Sequence, residues 1–404
     1  MAHLIPAASY PASMRISNRL PPSLLPTAFS KAVEAHRGAT EFLDLTASNP
    51  TRCGFDFGNE EWRHSLAADE VLDCEADPCG SLTARASIAA HHGYGVLPED
   101  ILLTASTSEA YSWLFKLLCD PGDQVLVPSP SYPLFEHLAT LEGIGAVNVS
   151  AYFHERWCLD VPALESACGP RTRAIVVVNP NNPSGQFLSK DEWRDLTTLC
   201  ATRDLALLVD EVFADFAYVP AAHSMRTALL DVDPPCPVFV LSGLSKVALL
   251  PQVKLGWILL RGKARAYLDP LTFLADQYLS VSASAQAAAA PALQAAPSRR
   301  NKVLDRAIEN LNCLDETLKA YRHLSRLPVE GGWSVILRRP VIHGNDGNDD
   351  VACALRLLEE TSTLVHPGCF FDLPRDGYLV LSLLTPSRIF REGLSRILPR
   401  LPVD

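Results

Sequence analysis

Three polar residues of this chain lie where buried strands are expected to end. Lys246 and Asp210 follow the apolar runs 238–241 and 206–209, and Asn182 lies in the motif Asn-Pro-Asn-Asn-Pro-Ser-Gly. A lysine amine can form a Schiff base with a carbonyl group, and a carboxylate can pair with a protonated pyridine nitrogen. An amine, a carboxylate and an amide in these places therefore suit the binding of an aldehyde cofactor that carries a pyridine ring.

The elements that would position these residues alternate between strand and helix from about residue 80 to residue 265. The predicted strands are mostly continuous apolar runs, typical of strands covered on both faces of a mainly parallel sheet, and they span 124–127, 174–178, 206–209, 238–241 and 255–260. Helices are predicted between them at 108–118, 132–141 and 190–202. This alternation predicts an α/β fold with helices on both faces of the sheet, in which ligands bind at the carboxyl ends of the strands.

The C-terminal part of the chain is predicted to form a smaller α/β region. An alanine-rich segment at 282–296 is predicted to be a tightly packed helix, because alanine is the best helix former, and a long helix follows at 299–321. The segment 345–350, which contains glycine and aspartate, is predicted to be an exposed turn. We therefore predict an N-terminal arm with part of the small domain at 1–48, a large cofactor-binding domain at 49–290 and a small C-terminal domain at 291–404.

Composition argues against several classes of protein. The 404 residues suffice for two domains, 48% of them are hydrophobic, and the formal net charge of −11 argues against a nucleic-acid partner. The 11 cysteines form no Cys-x-x-Cys pair, which predicts reduced thiols in a cytoplasmic protein and no metal site. No apolar run approaches the roughly 20 residues that span a bilayer, so no membrane partner is expected. The segment 1–26 is interpreted as an arm rather than a signal peptide.

In their order and spacing, several motifs resemble those of the class I and II aminotransferases, a family typified by aspartate aminotransferase. The resemblance extends from about Asp44 to Leu398, and its most specific motifs are Asn179-Pro180-Asn181-Asn182-Pro183-Ser184-Gly185, Asp210-Glu211-Val212-Phe213, and Ser245-Lys246 followed by Leu255-Gly256-Trp257. It implies pyridoxal 5'-phosphate (PLP) as cofactor, a homodimer, and the two-domain aminotransferase-like fold, with a large α/β domain around a mostly parallel sheet and a small α/β domain. It also implies transfer of an amino group between an amino acid or amine and a keto acid.

Residue by residue, the resemblance implies contacts with the PLP ring. Lys246 would hold the cofactor as a Schiff base and then, as a general base, move the proton of the substrate Cα. Asp210 would pair with the pyridine nitrogen, Asn182 would donate to the phenolic oxygen, and Tyr132 would stack on the ring. Structural roles stay open beside these, namely helix capping for Asp210, an ordinary turn for Asn182 and core packing for Tyr132.

The resemblance also implies a phosphate site at the start of a helix. The candidate contacts are hydroxyl and lysine side chains, namely Ser106, Thr107, Ser108, Ser242, Ser245 and Lys254. The first three would offer hydroxyls and the backbone N–H groups of a helix N-terminus, and Lys254 stands where the family usually has an arginine. Ser242 or Ser245 can compensate for Gly243, which replaces a phosphate-binding serine. The alternatives are an ordinary Ser/Thr cap and a solvated lysine.

Several residues depart from the family pattern. Phe213 stands where a tyrosine usually donates to the phenolic oxygen, and the loss of this donor is expected to raise the pKa of the Schiff base, because the donor favours the phenolate. Cys74 replaces a tyrosine that reaches the phosphate of the partner subunit, and Ser48 replaces a glycine of the substrate-side loop. Val380 replaces the arginine that clamps the substrate carboxylate. Arg52 is a candidate substitute anchor, although a solvated loop arginine is the commoner case.

These departures keep more than one function open. The leading prediction is a PLP-dependent aminotransferase. The alternative is a PLP-dependent lyase, oxidase or carbon–carbon bond-forming enzyme on the same scaffold, which Val380 and Phe213 favour because these positions control substrate orientation and protonation. A non-enzymatic regulator has weak support, since Lys246 and Asp210 are present and no basic DNA-binding module is recognised in the sequence.

Overall fold

The chain contains two compact units. The computed structural model describes residues 17–21, 23–57, 62–73, 76–218, 231–341 and 349–401. We call Asn49–Asp305 with Pro328–Trp333 the large unit, and Met1–Ser48 with Arg306–Leu327 and Ser334–Asp404 the small unit. The domain bounds predicted from the sequence stay a prediction. Cys74 lies outside the described residues, as does most of the turn predicted at 345–350.

The secondary structure alternates between short strands and helices. The described strands are β1 (Leu43–Asp44), β2 (Ile101–Thr104), β3 (Gln124–Ser129), β4 (Gly145–Ser150), β5 (Tyr152–His154), β6 (Arg156–Cys158), β7 (Thr172–Val178), β8 (Ala206–Asp210), β9 (Pro237–Gly243), β10 (Gly256–Gly262), β11 (Ser325–Arg326), β12 (Ser334–Arg338), β13 (Thr363–Leu364), β14 (His366–Pro367) and β15 (Tyr378–Ser382). The described helices are α1 (Ala28–His36), α2 (Trp62–Ser65), α3 (Leu82–His92), α4 (Thr107–Leu118), α5 (Leu134–Glu142), α6 (Val161–Ala167), α7 (Lys190–Arg203), α8 (Leu244–Val247), α9 (Leu268–Asp276), α10 (Ala283–Ala287), α11 (Ala289–Leu318), α12 (Asp350–Thr361) and α13 (Ser387–Ile397). Short 3₁₀ turns occur at Pro50–Arg52, Asp69–Leu72, Pro98–Asp100, Lys263–Tyr267, Gly368–Phe371 and Leu398–Arg400. Among the described helices, none combines the length and apolar character needed to cross a membrane.

The large unit is built on a seven-stranded sheet in the order β2-β10-β9-β8-β7-β3-β4. The strands from β9 to β4 in this order run parallel to one another, and β10 is antiparallel to both of its neighbours. Parallel strands joined through helices are covered on both faces, which explains the almost wholly apolar sequences of the central strands. The predicted α/β fold with a mostly parallel sheet is confirmed.

Side chains of the central strands alternate between two hydrophobic cores. On β8, Leu207 and Val209 enter one core and Leu208 enters the other. Because side chains alternate along a strand, Asp210 points to the same face as Leu208. Tyr111 of α4 belongs to the core on that face. The last side chain of β8 therefore points toward the layer that contains α4.

The elements predicted for the large unit are present, but two strands of its seven-stranded sheet, β2 and β4, were missed, as was the short pair β5 and β6. Strand β2 is a run of four residues, and β4 has exposed or half-buried side chains at five of its six positions. β4 is the edge strand of the sheet, so it needs no continuous apolar run. Helix α7 begins with a capping box, in which Ser189 and Glu192 each bond to the other's backbone N–H, and it confirms a helix there.

The small unit contains a four-stranded antiparallel sheet in the order β11-β12-β15-β14. Strand β1 pairs in parallel with β13 in a separate two-stranded sheet. Val380 lies in β15 opposite Ile336 and His366, and its side chain is 2% exposed. An apolar residue at this central position packs into the core of the unit.

Asp350 is fully buried, so the prediction that it lies in an exposed turn is wrong. Its Oδ1 accepts hydrogen bonds from the Arg339 guanidinium at 2.9 Å and from the backbone N–H groups of Gly377 at 2.8 Å and Tyr378 at 3.1 Å. The side chains of Asp350 and Arg339 are both 0% exposed. A polar segment can hold a buried charge when its partners are distant in sequence, and these partners left no local signal.

Candidate active site

Asp210 lies at the carboxyl end of β8, in register with Val178 of β7 and Leu241 of β9. Its Oδ2 accepts a hydrogen bond from the Tyr111 hydroxyl at 3.0 Å, and its Oδ1 accepts one from the Val212 N–H at 3.0 Å. Burial raises the pKa of Asp210 to about 6, while these hydrogen bonds and the charge of Lys246 act in the opposite direction. The carboxylate is therefore anionic at neutral pH although it is buried.

Lys246 lies in the single turn α8, which follows β9 directly. The residue is half-buried, and its amine lies over the rings of Trp333 and Phe213. This burial lowers the pKa of Lys246 to about 8, and the charge of Asp210 acts in the opposite direction. A substantial fraction of neutral amine is thus available near physiological pH, as a nucleophile requires.

Two aromatic rings line the Lys246 amine. Its Nζ lies over the ring of Trp333, 4.8 Å from the ring centroid, and 5.6 Å from the centroid of Phe213. Phe213 is buried, and its ring meets that of Trp333 edge to face. The structure thus brings Phe213 to Lys246.

The Asn-Pro-rich loop after β7 is fixed by its first and third residues. The Asn179 side chain donates to Glu211 at 3.2 Å and accepts from the Leu188 N–H at 2.9 Å. Asn181 donates to the Pro130 carbonyl at 3.0 Å and accepts from the Ser184 hydroxyl. Asn182 takes part in neither set and is half-buried. These hydrogen bonds fix the loop that contains Asn182.

The N-terminus of α4 lies against strand β10. Ser106 is the N-cap, and its hydroxyl accepts from the Glu109 N–H at 3.2 Å. A Cβ on Gly256 would lie 2.9 Å from the Ser106 carbonyl carbon and 3.1 Å from the Thr107 nitrogen, so glycine permits the close approach. Ser106, Thr107 and Ser108 are half-buried. A twelve-residue helix that begins here directs backbone N–H groups and the positive end of its dipole outward.

Tyr132 is 40% exposed, and its ring lies 6.5 Å from that of Phe135 at 86°. Burial of the phenol, followed by the charge of Asp210, raises the pKa of Tyr132. A ring exposed to this extent is more consistent with a stacking residue than with a core aromatic.

The other predicted phosphate contacts are Ser242, Lys254 and Ser245. Ser242 points to the same core as Val240, which is the face opposite to Asp210. Its buried hydroxyl has no hydrogen-bond partner among the described residues. Lys254 is exposed and adopts the left-handed backbone conformation, with φ of 61°. Ser245 is half-buried within α8.

The predicted substrate-side residues belong to different units. Ser48 and Val380 lie in the small unit, and Ser48 is exposed. Arg52 lies in the large unit, is exposed, and closes the turn Pro50–Arg52, in which the Thr51 N–H donates to the Asn49 side chain. The buried side chain of Val380 offers no hydrogen bond to a carboxylate.

The sequence reasoning missed Tyr111 and Trp333. Tyr111 lies four residues after Thr107 on α4, which places the two side chains on one face of that helix. This four-residue spacing is visible in the sequence and could have identified Tyr111 as a residue on the same side of α4 as Thr107. Trp333 lies 87 positions after Lys246 in the chain, behind two glycines, and no local pattern connects it with the lysine.

Comparisons with known proteins give the family of the chain. A family model described as aminotransferase class I and II matches residues 75–389. The alanine aminotransferase of Mycobacterium tuberculosis is 28% identical over 382 residues, which cover 90% of this chain and 85% of that protein. The glutamate-pyruvate aminotransferase AlaA of Haemophilus influenzae is 27% identical over 366 residues, with coverage of 87% and 89%.

A solved structure of an aminotransferase has the same fold as this chain. A single mutant of Thermus thermophilus aspartate aminotransferase matches with a TM-score of 0.81 at 25% identity, over 96% of this chain and 100% of that chain. The predicted PLP-dependent transaminase is confirmed, and the lyase, oxidase or bond-forming alternative is not favoured. The chain therefore belongs to the class I and II aminotransferases, a family of PLP-dependent enzymes.

Proposed function

We propose that this aminotransferase transfers an amino group between an amino acid and a keto acid, with Lys246 as the residue that bonds to PLP. The observation that supports this most directly is the pair of buried groups at neighbouring strand ends. Lys246 supplies an amine whose pKa is lowered to about 8, and Asp210 supplies a carboxylate held by Tyr111. Perturbed titratable groups that converge in this way are typical of catalytic sites.

The residues present fit PLP in three respects. The partly neutral amine of Lys246 suits attack on an aldehyde. The pKa of Asp210, at about 6, leaves it anionic at neutral pH, and a cationic ring nitrogen would offset the cost of its burial. The N-terminus of α4, pressed against Gly256, offers backbone N–H groups to a phosphate.

Each residue then has a defined task. Bound PLP supplies a ring that withdraws electrons from the substrate Cα. Asp210 keeps the ring nitrogen protonated, and Tyr111 orients that carboxylate and favours its charged form. Lys246 takes up and returns the proton at the substrate Cα. Asn182 would donate to the phenolic oxygen of PLP, and Tyr132 would stack on its ring.

The proposed phosphate contacts centre on α4. Ser106, Thr107 and Ser108 contribute the helix N-terminus, and Ser245 and Lys254 contribute a hydroxyl and a charge. The orientation of Ser242 toward the opposite face makes it the weakest of the predicted contacts. Ser48, Arg52 and Val380 stay predictions for the substrate side.

The names of the relatives suggest which substrates to test first. They are an alanine aminotransferase and a glutamate-pyruvate aminotransferase. We propose alanine and glutamate as amino donors, with pyruvate among the keto acceptors. We also propose a cytoplasmic homodimer, which is supported by the family and by the free thiols of the cysteines in the described ranges.

A half-reaction scan tests the proposed function. Enzyme loaded with PLP is mixed with single amino donors in the absence of any acceptor, and the absorbance of the cofactor is followed while keto acid and ammonia are assayed. Conversion of the cofactor to its amine form, with one keto acid released per site, is the expected result. Release of ammonia while the aldehyde form returns would overturn the proposal in favour of a deaminating enzyme.

A further inference from the structure

Trp333 lies directly beneath the amine of Lys246, although the two residues are far apart in sequence. Nζ of Lys246 lies 4.8 Å from the centroid of the Trp333 ring and 5.6 Å from that of Phe213. Trp333 is 4% exposed. An ammonium over an aromatic face within about 6 Å of the centroid is attracted by the ring quadrupole, and the attraction is larger when water is excluded.

The backbone holds Trp333 in this place. The segment Pro328–Trp333 pairs with the chain after Phe213, since the Gly332 N–H donates to the Phe216 carbonyl at 2.9 Å and the Tyr218 N–H donates to the Glu330 carbonyl at 2.7 Å. A Cβ on Gly331 would lie 2.5 Å from the Phe216 carbonyl oxygen. Glycine is therefore required for the segment to come this close.

Neighbouring rings fix the plane of the indole. Phe213 and Phe216 both meet Trp333 edge to face, with centroid distances of 5.2 and 5.0 Å and an interplanar angle of 73° in each case. Such contacts are favourable beyond the area they bury. They orient the ring so that its face stays available to Lys246.

We propose that Trp333 is a positioning residue for Lys246, and that its indole face, with the Phe213 ring beside it, forms an aromatic seat that stabilises the protonated amine. The aromatic seat is thus defined by Trp333 and Phe213. Asp210 is the charged group that acts on the same amine, and the titratable phenols of Tyr111 and Tyr132 both interact with Asp210.

The aromatic seat affects the proton transfer of the proposed reaction. This consequence rests on the proposed function of Lys246. Lys246 becomes an ammonium when it takes the proton from the substrate Cα. Burial disfavours that charge, and it lowers the pKa of Lys246 to about 8. The aromatic faces favour the same charge without adding a group that can donate or accept the proton. They therefore limit the cost of the charged form while the amine stays reactive.

The test measures the titration of the amine rather than turnover. Cofactor-free protein is mixed with PLP over a range of pH, and the initial rate of Schiff-base formation is followed by absorbance. Borohydride reduction and peptide mass spectrometry then locate the modified lysine. Because only the neutral amine attacks, the rate rises with pH, and the midpoint of the rise reports the pKa of Lys246 in the cofactor-free protein.

Replacing Trp333 is expected to move this midpoint downward. A seat that no longer stabilises the ammonium lowers the pKa of Lys246, so the neutral amine is available at lower pH. We expect Trp333→Leu to shift the midpoint by about one pH unit, which gives roughly a tenfold faster reaction at a pH below the midpoint. Trp333→Tyr and Trp333→Phe should give smaller shifts, because tyrosine and phenylalanine rings also attract cations, although less strongly than tryptophan does. The ring that attracts the cation more strongly should give the smaller shift.

Two controls make the outcome decisive. Phe239→Leu removes a buried ring that packs on Tyr267 and leaves the rings around Lys246 and Trp333 in place, so the midpoint should stay where it is. If Trp333→Leu does not fold, the tyrosine and phenylalanine variants still test the order of the shifts. An unchanged midpoint in the folded Trp333 variants overturns the aromatic seat. A reduced adduct on a lysine other than Lys246 overturns the proposed function instead.

Discussion

Each unit of the chain buries an aspartate beside a cation, and the two arrangements differ in how far the charge is satisfied. In the small unit, Asp350 accepts from Arg339 and from two backbone N–H groups, and both side chains of the pair are 0% exposed. In the large unit, Asp210 accepts one hydrogen bond from the Tyr111 phenol and one from the Val212 N–H. The charge of Lys246 lowers the pKa of Asp210.

This difference in hydrogen bonding distinguishes the Asp350–Arg339 pair from the Asp210–Lys246 pair. Burial raises the pKa of Asp350, but the Gly377 N–H and the charge of Arg339 act against it. The Arg339 guanidinium and two backbone N–H groups together satisfy the Asp350 carboxylate. The Lys246 amine can lose its proton near neutral pH. We infer that the saturated pair holds the fold and that the less saturated pair serves the chemistry.

The largest effect is expected from Lys246→Ala. This variant should lose turnover and the Schiff-base absorbance, because no amine remains to bond to PLP, while the fold is kept. Absorbance spectra and a transamination assay measure both properties. Lys319→Ala, which removes an exposed lysine paired with Glu316, is the control and should behave like the wild type. A Schiff-base band retained in Lys246→Ala would refute the assignment of the lysine.

Arg339→Ala should cause the largest loss of stability. It leaves the buried Asp350 carboxylate without its cation, and breaking such a pair costs about 3–5 kcal/mol in the free energy of unfolding. Urea denaturation measures the loss. The neighbouring Arg338 is exposed, and Arg338→Ala should change the free energy of unfolding by no more than about 0.5 kcal/mol. Equal stability of the two variants would remove the structural role of the pair.

Asp210→Asn should show the opposite pattern, with lost turnover and preserved stability. An amide cannot neutralise a protonated ring nitrogen, so we expect kcat to fall roughly 10²–10³-fold, as for other lost electrostatic contacts in active sites. Steady-state kinetics measure that fall.

The stability of the wild type relative to Asp210→Asn depends on pH in a defined direction. Burial raises the pKa of Asp210 from 3.8 to about 6, so its contribution to folding is fully present below pH 3.8 and is lost as the pH rises through about 6. Cofactor-free Asp210→Asn should therefore be at least as stable as the wild type at pH 8 in thermal unfolding. A loss as large as that of Arg339→Ala would contradict the distinction between the two pairs.

Tyr111→Phe should have the smallest effect. The lost hydrogen bond contributes about 0.5–1.5 kcal/mol and favours the anion, so its removal raises the pKa of Asp210. The acid limb of the pH–kcat profile should move upward by up to about one pH unit, with little change at pH 8. Tyr267→Phe serves as the control, because its ring packs on Phe239 in the core. An unmoved acid limb would mean that Tyr111 does not tune Asp210.

The sequence predicted the places of Lys246 and Asp210 in the fold better than that of Asp350, and the reason is local. Lys246 and Asp210 each follow a continuous apolar run, and such runs end at the edge where parallel strands bind ligands. Asp350 follows a polar segment, and its partner Arg339 lies 11 residues earlier in the chain, directly after the end of β12. No spacing rule connects these two residues, so the sequence suggested an exposed turn.

The sequence by itself determined the order of the central elements and the identity of the candidate site residues, because buried strands and helix starts leave local patterns of apolar and capping residues. Tertiary structure decided which of these residues meet. It turned Ser242 to the face opposite Asp210, brought Tyr111 to that carboxylate, and placed Trp333 under Lys246. These contacts depend on strand register and on backbone approach at glycine, which join segments that are distant in the chain.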